Sequence, residues 1–165
     1  MHLPPSAGPT HRYIGASAAC WAIFTNLVNA GEPPLAPGSL NALIGDAYAA
    51  QHPGTPSVQA IQSVAVHLLT LYGVLKRDVA PDNALWIRQR ALRDKPGVLH
   101  GRFQWLAPPV FAGNLTVADI ARAATPTART DRARAYVEQV WFLWSQAHLV
   151  TLVAWYERFV VPDRF

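Results

Sequence analysis

Length, composition and charge restrict this chain to a few classes of protein. Its 165 residues fit one domain with one hydrophobic core, and 51% apolar with only 15% charged residues excludes a disordered chain. The net charge of +4 comes from arginines interspersed with acids, prolines and apolar residues, which indicates a solvated surface rather than a nucleic-acid interface.

The single cysteine and the N-terminal composition predict where the protein resides. Cys20 alone cannot form an intrachain disulfide, so a reducing compartment is expected. Residues 1–13 contain three prolines and no long apolar run, which is unlike a signal peptide or a membrane anchor. Polar residues such as Gln146 and Glu157 also interrupt the most apolar C-terminal stretch. We therefore expect a cytoplasmic protein without a membrane partner.

A proline-rich extended arm, residues 1–14, is followed by six predicted helices. These cover Gly15 to Ala30, Ser39 to Gln51, Ser57 to Arg77, Pro81 to Arg93, Val117 to Ala124 and Arg134 to Pro162. Ser17, Ser39 and Ser57 are the predicted N-caps, and Pro126 is predicted to end the fifth helix. No segment alternates with period two. The sequence thus predicts a single all-α domain, 1–165, with a four-helix-bundle-like core and two additional short helices.

The last predicted helix carries an apolar stripe with a histidine at its centre. The stripe consists of Val137, Trp141, Trp144, His148, Leu152, Trp155 and Phe159. An imidazole buried among indoles needs a hydrogen-bond partner, because an unpaired buried polar group costs about 1–3 kcal/mol. His148 is therefore either a core histidine bonded to an acceptor, or a ligand or general base.

Strong cofactor signatures do not occur in the sequence. There is no Gly-rich phosphate loop, nucleophile elbow, paired CxxC or HExxH motif, so we expect no nucleotide cofactor. What remains is a dispersed set of side chains with metal-ligand or acid–base chemistry. The set comprises His11, Cys20, Asp46, His52, His67 and His148.

Each member of this set also has a purely structural interpretation. His67 flanks the apolar stripe of its helix, from which it can reach a neighbouring helix. His52 precedes Pro53 and is placed to cap a helix C-terminus as a cation. Asp46 lies opposite the apolar face of its helix, which favours a solvated acid, and Cys20 has the setting of a small buried hydrophobe.

Several of these residues belong to short motifs that resemble a known family. In chain order the motifs are His11-Arg12-Tyr13, Cys20-Trp21, Asp46-Ala47-Tyr48, Gln51-His52-Pro53-Gly54, Gln62-Ser63, Val66-His67-Leu68, Leu115-Thr116-Val117-Ala118-Asp119, and Trp144-Ser145 with His148. Together they resemble a bacterial family, common in actinobacteria, that is known only as a domain of unknown function. The resemblance implies that the polar residues share a site, and it names no reaction.

Two departures from that family pattern affect the expected ligands. Family members often carry a Cys-Pro-Gly-Cys pair before the His-Arg-Tyr segment, and this sequence begins after that point. We therefore expect no zinc knuckle there. Gln104 precedes Trp105 where the family often has histidine, which removes one candidate ligand.

The leading functional hypothesis is a small-molecule enzyme with a divalent metal, zinc or iron. The predicted metal ligands are a subset of His52, His67, His148 and Asp46, either three imidazoles or two with the carboxylate, and the predicted catalytic residues are His148, His67 and Asp46. The predicted substrate-binding residues are Tyr48, Gln51, Trp105 and Trp144, the two tryptophans forming pocket walls.

Two alternatives remain open. In the first, His148 or His67 performs metal-free acid–base or cyclase-like chemistry in an aromatic pocket, within an imidazole pair oriented by Asp46 or Tyr48. In the second, the protein is a binding or oligomerisation module whose Trp105 to Phe111 loop contacts a partner. The apolar surface of the last helix further predicts a homodimer.

Overall fold

A computed structural model describes residues 10–30, 39–93 and 102–161. The helices are α1 (Ala18–Asn29), α2 (Leu40–Gln51), α3 (Val58–Lys76), α4 (Ala84–Leu92), α5 (Val117–Ala121) and α6 (Pro126–Trp155). A 3-10 turn over Pro81–Asn83 leads into α4, and a π-helical turn over Tyr156–Val160 continues α6. These three ranges contain helices and no strand, so the all-α prediction is confirmed.

The predicted N-caps are confirmed because capping depends on local sequence. The hydroxyls of Ser17, Ser39 and Ser57 each accept a hydrogen bond from the backbone N–H three residues further on. Thr116 and Asp119 form a reciprocal capping box at the start of α5. α1 begins at Ala18 rather than at the predicted Gly15, because Ser17 has the extended backbone of a cap.

The predicted start of the last helix is wrong. α6 begins at Pro126, with Thr125 as its N-cap, instead of at Arg134. Pro126 does not end the preceding helix but occupies the first turn of α6, where its missing N–H has no intrahelical role. The predicted end at Pro162 and residues 1–9 of the arm lie outside the described residues.

Helix α3 is the centre of the fold. It packs against α2, α4 and α6, while α2 also packs against α6, and α1 packs against α2 and α5. By length and composition, α3 would suffice to cross a membrane, but 56% of its most apolar window is buried inside the fold, as in the core helix of a soluble protein. Most of α3 and most of α2 therefore meet another helix.

The segment before α1 is anchored to the loop after α2. The Gly15 N–H donates to the carbonyl of His52 at 2.9 Å. A Cβ on Gly15 would lie 2.7 Å from the Cα of Gly54, which itself has a left-handed φ of +71°. This close backbone approach holds residues 11–14 against the α1–α2 side of the molecule.

Candidate active site

Asp46 is completely buried, which contradicts its interpretation as a solvated acid. Its exposed fraction is 0%, and every residue from Asp46 to Gln51 is buried. Periodicity failed here because α2 is enclosed by α1, α3 and α6 and has no continuous solvent face. The carboxylate lies instead in the interior between helices.

Two cationic or proton-donating side chains meet this carboxylate. Oδ1 of Asp46 lies 2.7 Å from Nδ1 of His67 and 2.5 Å from Nη2 of Arg88. A buried carboxylate without such partners would be strongly destabilising. Within the described residues, Oδ2 of Asp46 and Nε of Arg88 are buried without a hydrogen-bond partner. α2, α3 and α4 thus each contribute one member to an Asp46–His67–Arg88 cluster.

The hydrogen bond to Asp46 fixes which nitrogen of His67 is available for chemistry. A carboxylate accepts, so Nδ1 of His67 donates the proton in this contact. The neutral ring then has its lone pair on Nε2. The His67 side chain remains 24% exposed and lines a cavity. The prediction that His67 reaches a neighbouring helix from its flank position is confirmed.

The cavity has a volume of about 310 Å³. It lies among the segment before α1 and helices α1 to α4, and its lining includes His11, Ile14, Trp21, Phe24, Ala42, Gly45, Ala49, Ser63, His67, Ala84, Leu85 and Arg88. Ala42, Gly45 and Ala49 recur at helical spacing, so one face of α2 leaves open space. Trp21 and Phe24 supply aromatic surface, with ring centroids 5.4 Å apart.

Cys20 and His52 form a separate contact outside this lining. Nε2 of His52 lies 3.7 Å from Sγ of Cys20, which also accepts from the hydroxyl of Tyr48 at 3.4 Å. Burial lowers the pKa of His52 to about 4, so His52 is a neutral ring at neutral pH. It does occupy the C-cap of α2, but the expected cationic cap is not formed. Burial also raises the pKa of the Tyr48 hydroxyl.

His148 does not lie at the centre of a buried site. Its hydrogen bond is the one expected if the histidine is purely structural. Its ring is half-buried, and Nε2 lies 2.8 Å from the carbonyl oxygen of Ala107. Trp144 contacts it at a centroid distance of 5.6 Å. The expected burial beneath three indoles is wrong, because His148 lies at the edge of the buried stripe and faces the 102–113 loop.

The predicted substrate-binding residues have structural contacts. The ring of Tyr48 stacks on Phe24 at 4.1 Å, and the indole of Trp144 donates to the carbonyl of Ala50 at 3.0 Å. Gln51 donates to the carbonyl of Leu115 and accepts from the hydroxyl of Tyr136. Trp105 is half-buried. These four side chains are not in the described lining of the His67 cavity, whose aromatic wall comes from α1.

The four predicted metal ligands do not converge. His67 and Asp46 bond to each other, His52 contacts Cys20, and His148 contacts Ala107. Throughout residues 10–30, 39–93 and 102–161, no group of three or more His, Cys, Asp or Glu side chains is placed to hold a metal ion. Oδ1 of Asp46 is already engaged by His67 and Arg88. This donor set does not fit a single metal centre.

Sequence reasoning missed Arg88, the third member of the cluster. The charged residues around Arg88 in the sequence indicate a solvated basic stretch. They therefore gave no sign that Arg88 contacts a buried carboxylate. The signal that could have found it is helical spacing, since Arg88 shares one side of α4 with the buried Ala84 and Ala91. His11, one of the sequence candidates, belongs to the cavity lining, as does Trp21, which the sequence marks only as part of a motif.

Comparison with known proteins gives a family without a known activity. The model of the family of unknown function DUF5946 matches residues 5–145. The chain belongs to this family. No curated protein and no solved structure matches it. The part that matches DUF5946 includes Asp46, His67 and Arg88, whereas His148 lies beyond it.

Proposed function

We propose that this DUF5946 protein is a small-molecule enzyme that performs metal-free general acid–base chemistry with His67. The observation that carries the proposal is the hydrogen bond between the fully buried Asp46 and Nδ1 of His67, a ring that also lines a cavity. A carboxylate behind an imidazole holds one tautomer and stabilises the imidazolium that forms when Nε2 takes a proton.

The proposed step is a proton transfer. Nε2 of the neutral His67 ring removes a proton from an O–H, N–H or activated C–H bond of the substrate. The imidazolium, stabilised by Asp46, then returns the proton to another substrate atom or to the leaving group. Isomerases and cyclases use such a step. His67 is the catalytic residue, and Asp46 is a positioning residue that acts through His67.

Two observations, one on the cavity and one on the loop from Trp105 to Phe111, further support an enzyme over a binding module. A second imidazole, His11, lines the same space as His67, as the acid–base hypothesis expects of an imidazole pair. The binding-module hypothesis relied on exposed aromatics in the loop from Trp105 to Phe111, yet both of these residues are half-buried. The described residues therefore give more support to a small-molecule site than to a loop that binds a partner.

Turnover of small molecules in a cell extract tests the proposal even though the substrate is unidentified. Purified protein is incubated with a metabolite extract, and changes are followed by mass spectrometry. Wild-type protein should convert at least one compound, and His67→Ala should lower that rate about 100-fold or more. Asp46→Asn should lower the rate while leaving the Michaelis constant nearly unchanged, since it affects proton transfer.

His148→Ala is the matched control, because His148 bonds to a backbone carbonyl outside the cluster. It should retain most of the activity. Conversion by His67→Ala at the wild-type rate would contradict the proposal, as would no conversion by wild-type protein. Loss of activity in His148→Ala alone would return His148 to the catalytic role predicted from the sequence.

A zinc or iron ion stays a prediction from the sequence. Plasma mass spectrometry of tag-free wild-type protein and of His67→Ala tests it directly. One equivalent of metal that is lost in His67→Ala would contradict a metal-free mechanism and restore the metal hypothesis.

A further inference from the structure

The polar part of the His67 cavity has basic or neutral donors and no acid in its described lining. Arg88, His67, His11 and Ser63 are its polar side chains, and the other described lining residues are apolar, aromatic or glycine. Asp46 is connected to this lining through His67 and Arg88 but is itself fully buried. A ligand in the cavity therefore meets the guanidinium of Arg88 as its one permanently charged group, together with the Ser63 hydroxyl and two imidazoles.

The charges of the cluster leave room for one further anion. A single carboxylate, Asp46, is shared between the permanent cation Arg88 and the titratable ring of His67. With the neutral His67 of the proposed function, Asp46 and Arg88 balance each other, so the three groups carry a net charge of +1 only while His67 holds the proton taken from the substrate. A monoanion would bring that charge to zero, whereas a dianion would overcompensate it.

Arg88 also retains unused donor capacity. Its side chain is 33% exposed in the cavity lining, and Nη2 is the group that bonds to Asp46. Its Nε–H is buried and has no acceptor among the described residues, so a ligand in the cavity can be reached only by the Nη groups. A planar guanidinium with one edge tethered and further N–H groups available suits a planar carboxylate, which accepts two parallel hydrogen bonds.

The remainder of the cavity is suited to a small apolar group of a ligand. Trp21 and Phe24 give it an aromatic wall, and Gly45 with its neighbouring alanines leaves space along α2. A Cβ added at Gly45 would have Phe24 as its nearest neighbour, at 3.9 Å, so the glycine faces this wall. The volume of about 310 Å³ is at the small end of ligand sites.

We propose that the His67 cavity binds small organic monocarboxylates, with the carboxylate on Arg88 and an aromatic or branched apolar body against Trp21 and Phe24. This inference rests on the proposed function, because it assigns the substrate class of the same cavity. It adds a specificity determinant, Arg88, and places the proton-accepting Nε2 of His67 beside the bound anion.

Isothermal titration calorimetry tests the proposal with phenylacetate and benzoate as probes. At least one should bind with a dissociation constant of about 1 mM or tighter, as expected for a ligand of this size. The neutral probes 2-phenylethanol and benzyl alcohol, which match them in shape, should bind at least about tenfold more weakly, because a hydrogen bond from the guanidinium to a carboxylate is stronger than one to a neutral hydroxyl.

Two variants identify the site. Gly45→Leu should abolish binding by filling the space beside Phe24 while leaving the Arg88–Asp46 contact in place. Arg88→Gln should weaken carboxylate binding about tenfold or more and leave the weak alcohol binding unchanged. If Arg88→Gln fails to fold, Gly45→Leu together with the paired acid and alcohol probes still decides the question.

Equal affinity for acid and alcohol, no detectable binding of either acid, or unchanged binding in Gly45→Leu would overturn the proposal. Calorimetry requires no turnover, so these failures differ from a failure of His67 catalysis. A carboxylate that binds and is not converted would leave the substrate class standing and contradict the proposed function.

Discussion

At the scale of single residues, the two histidines near α2 show how environment decides the role of a side chain. His67 has a carboxylate at Nδ1 and a cavity at its exposed edge. His52 has a thiol at Nε2 and the ring of Tyr48 at 4.6 Å, and burial keeps it neutral. Only the first arrangement places a carboxylate against the imidazole, because His52 has no carboxylate among its described contacts.

We predict that His52 makes stability depend on pH. Its pKa falls from 6.5 to about 4 on folding, so between these values the unfolded chain binds more protons than the folded chain. Stability is then fully present above pH 6.5 and is lost as the pH falls towards 4, by up to about 3 kcal/mol. Urea unfolding across this range measures the effect.

The control for this prediction is His52→Gln, which keeps a polar side chain at the C-cap and cannot titrate. Its free energy of unfolding should fall less steeply over the same pH range. The same slope in both proteins would show that other groups cause the pH dependence.

At the scale of elements, close backbone contacts decide where the cavity residues lie. The segment with His11 and Ile14 reaches the cavity because Gly15 lies directly on Gly54 and bonds to the carbonyl of His52. α2 can border the cavity because it presents Ala42, Gly45 and Ala49 on that side. In both places the absence of a large side chain creates the geometry.

A pair of glycine substitutions should change stability in opposite directions. Gly15→Ala places a Cβ 2.7 Å from the backbone of Gly54, so it should lower the free energy of unfolding by about 1–3 kcal/mol. At Gly45, an added Cβ would have its nearest atom at 3.9 Å, so it fits without a clash. Because alanine favours a helix more than glycine does, Gly45→Ala should raise the free energy of unfolding by about 0.5–1 kcal/mol. Thermal or urea unfolding of both variants measures these changes in stability. A Gly15→Ala protein more stable than the wild type would contradict the close approach of Gly15 to Gly54.

At the scale of the whole molecule, α6 has one side buried in the core and another side exposed to solvent. Trp141, Trp144 and Trp155 are buried against the other helices, which confirms that the tryptophan stripe is core. On another side of α6, Phe142, Leu149 and Val150 are 56%, 45% and 85% exposed. Positions separated by seven and eight residues lie on neighbouring parts of one helix face. That face corresponds to the self-association surface predicted from the sequence.

We predict that two copies associate through this exposed face of α6. A helix face can pair with its own copy about a twofold axis, which buries each apolar side chain twice. Light scattering of the wild-type protein should give the dimer mass, and Val150→Glu should give the monomer. Thr127→Glu, at the exposed N-terminal turn of α6 and far from Val150, should remain dimeric. A monomeric wild-type protein at all concentrations would contradict the prediction.

Local interactions explain which parts of this fold were predictable. Serine caps and apolar periodicity act within a few residues, so α2, α3 and their N-termini were found from sequence alone. Pro126 was ambiguous, since proline is compatible both with the end of one helix and with the first turn of the next. The predicted exposure of Asp46 was wrong because periodicity assumes that one face of a helix is exposed to solvent, whereas α2 is covered on several sides.

The sequence by itself determined an all-α chain, its serine caps, its membership of a family and a short set of chemically capable residues. Tertiary structure decided which of those residues meet. It joined Asp46 to His67, added Arg88 from α4, paired His52 with Cys20 and left His148 with a backbone carbonyl. Spacing along the chain shows which side of a helix a residue lies on but not which partner it meets, because that depends on how the helices pack and on where glycine and alanine leave space between them.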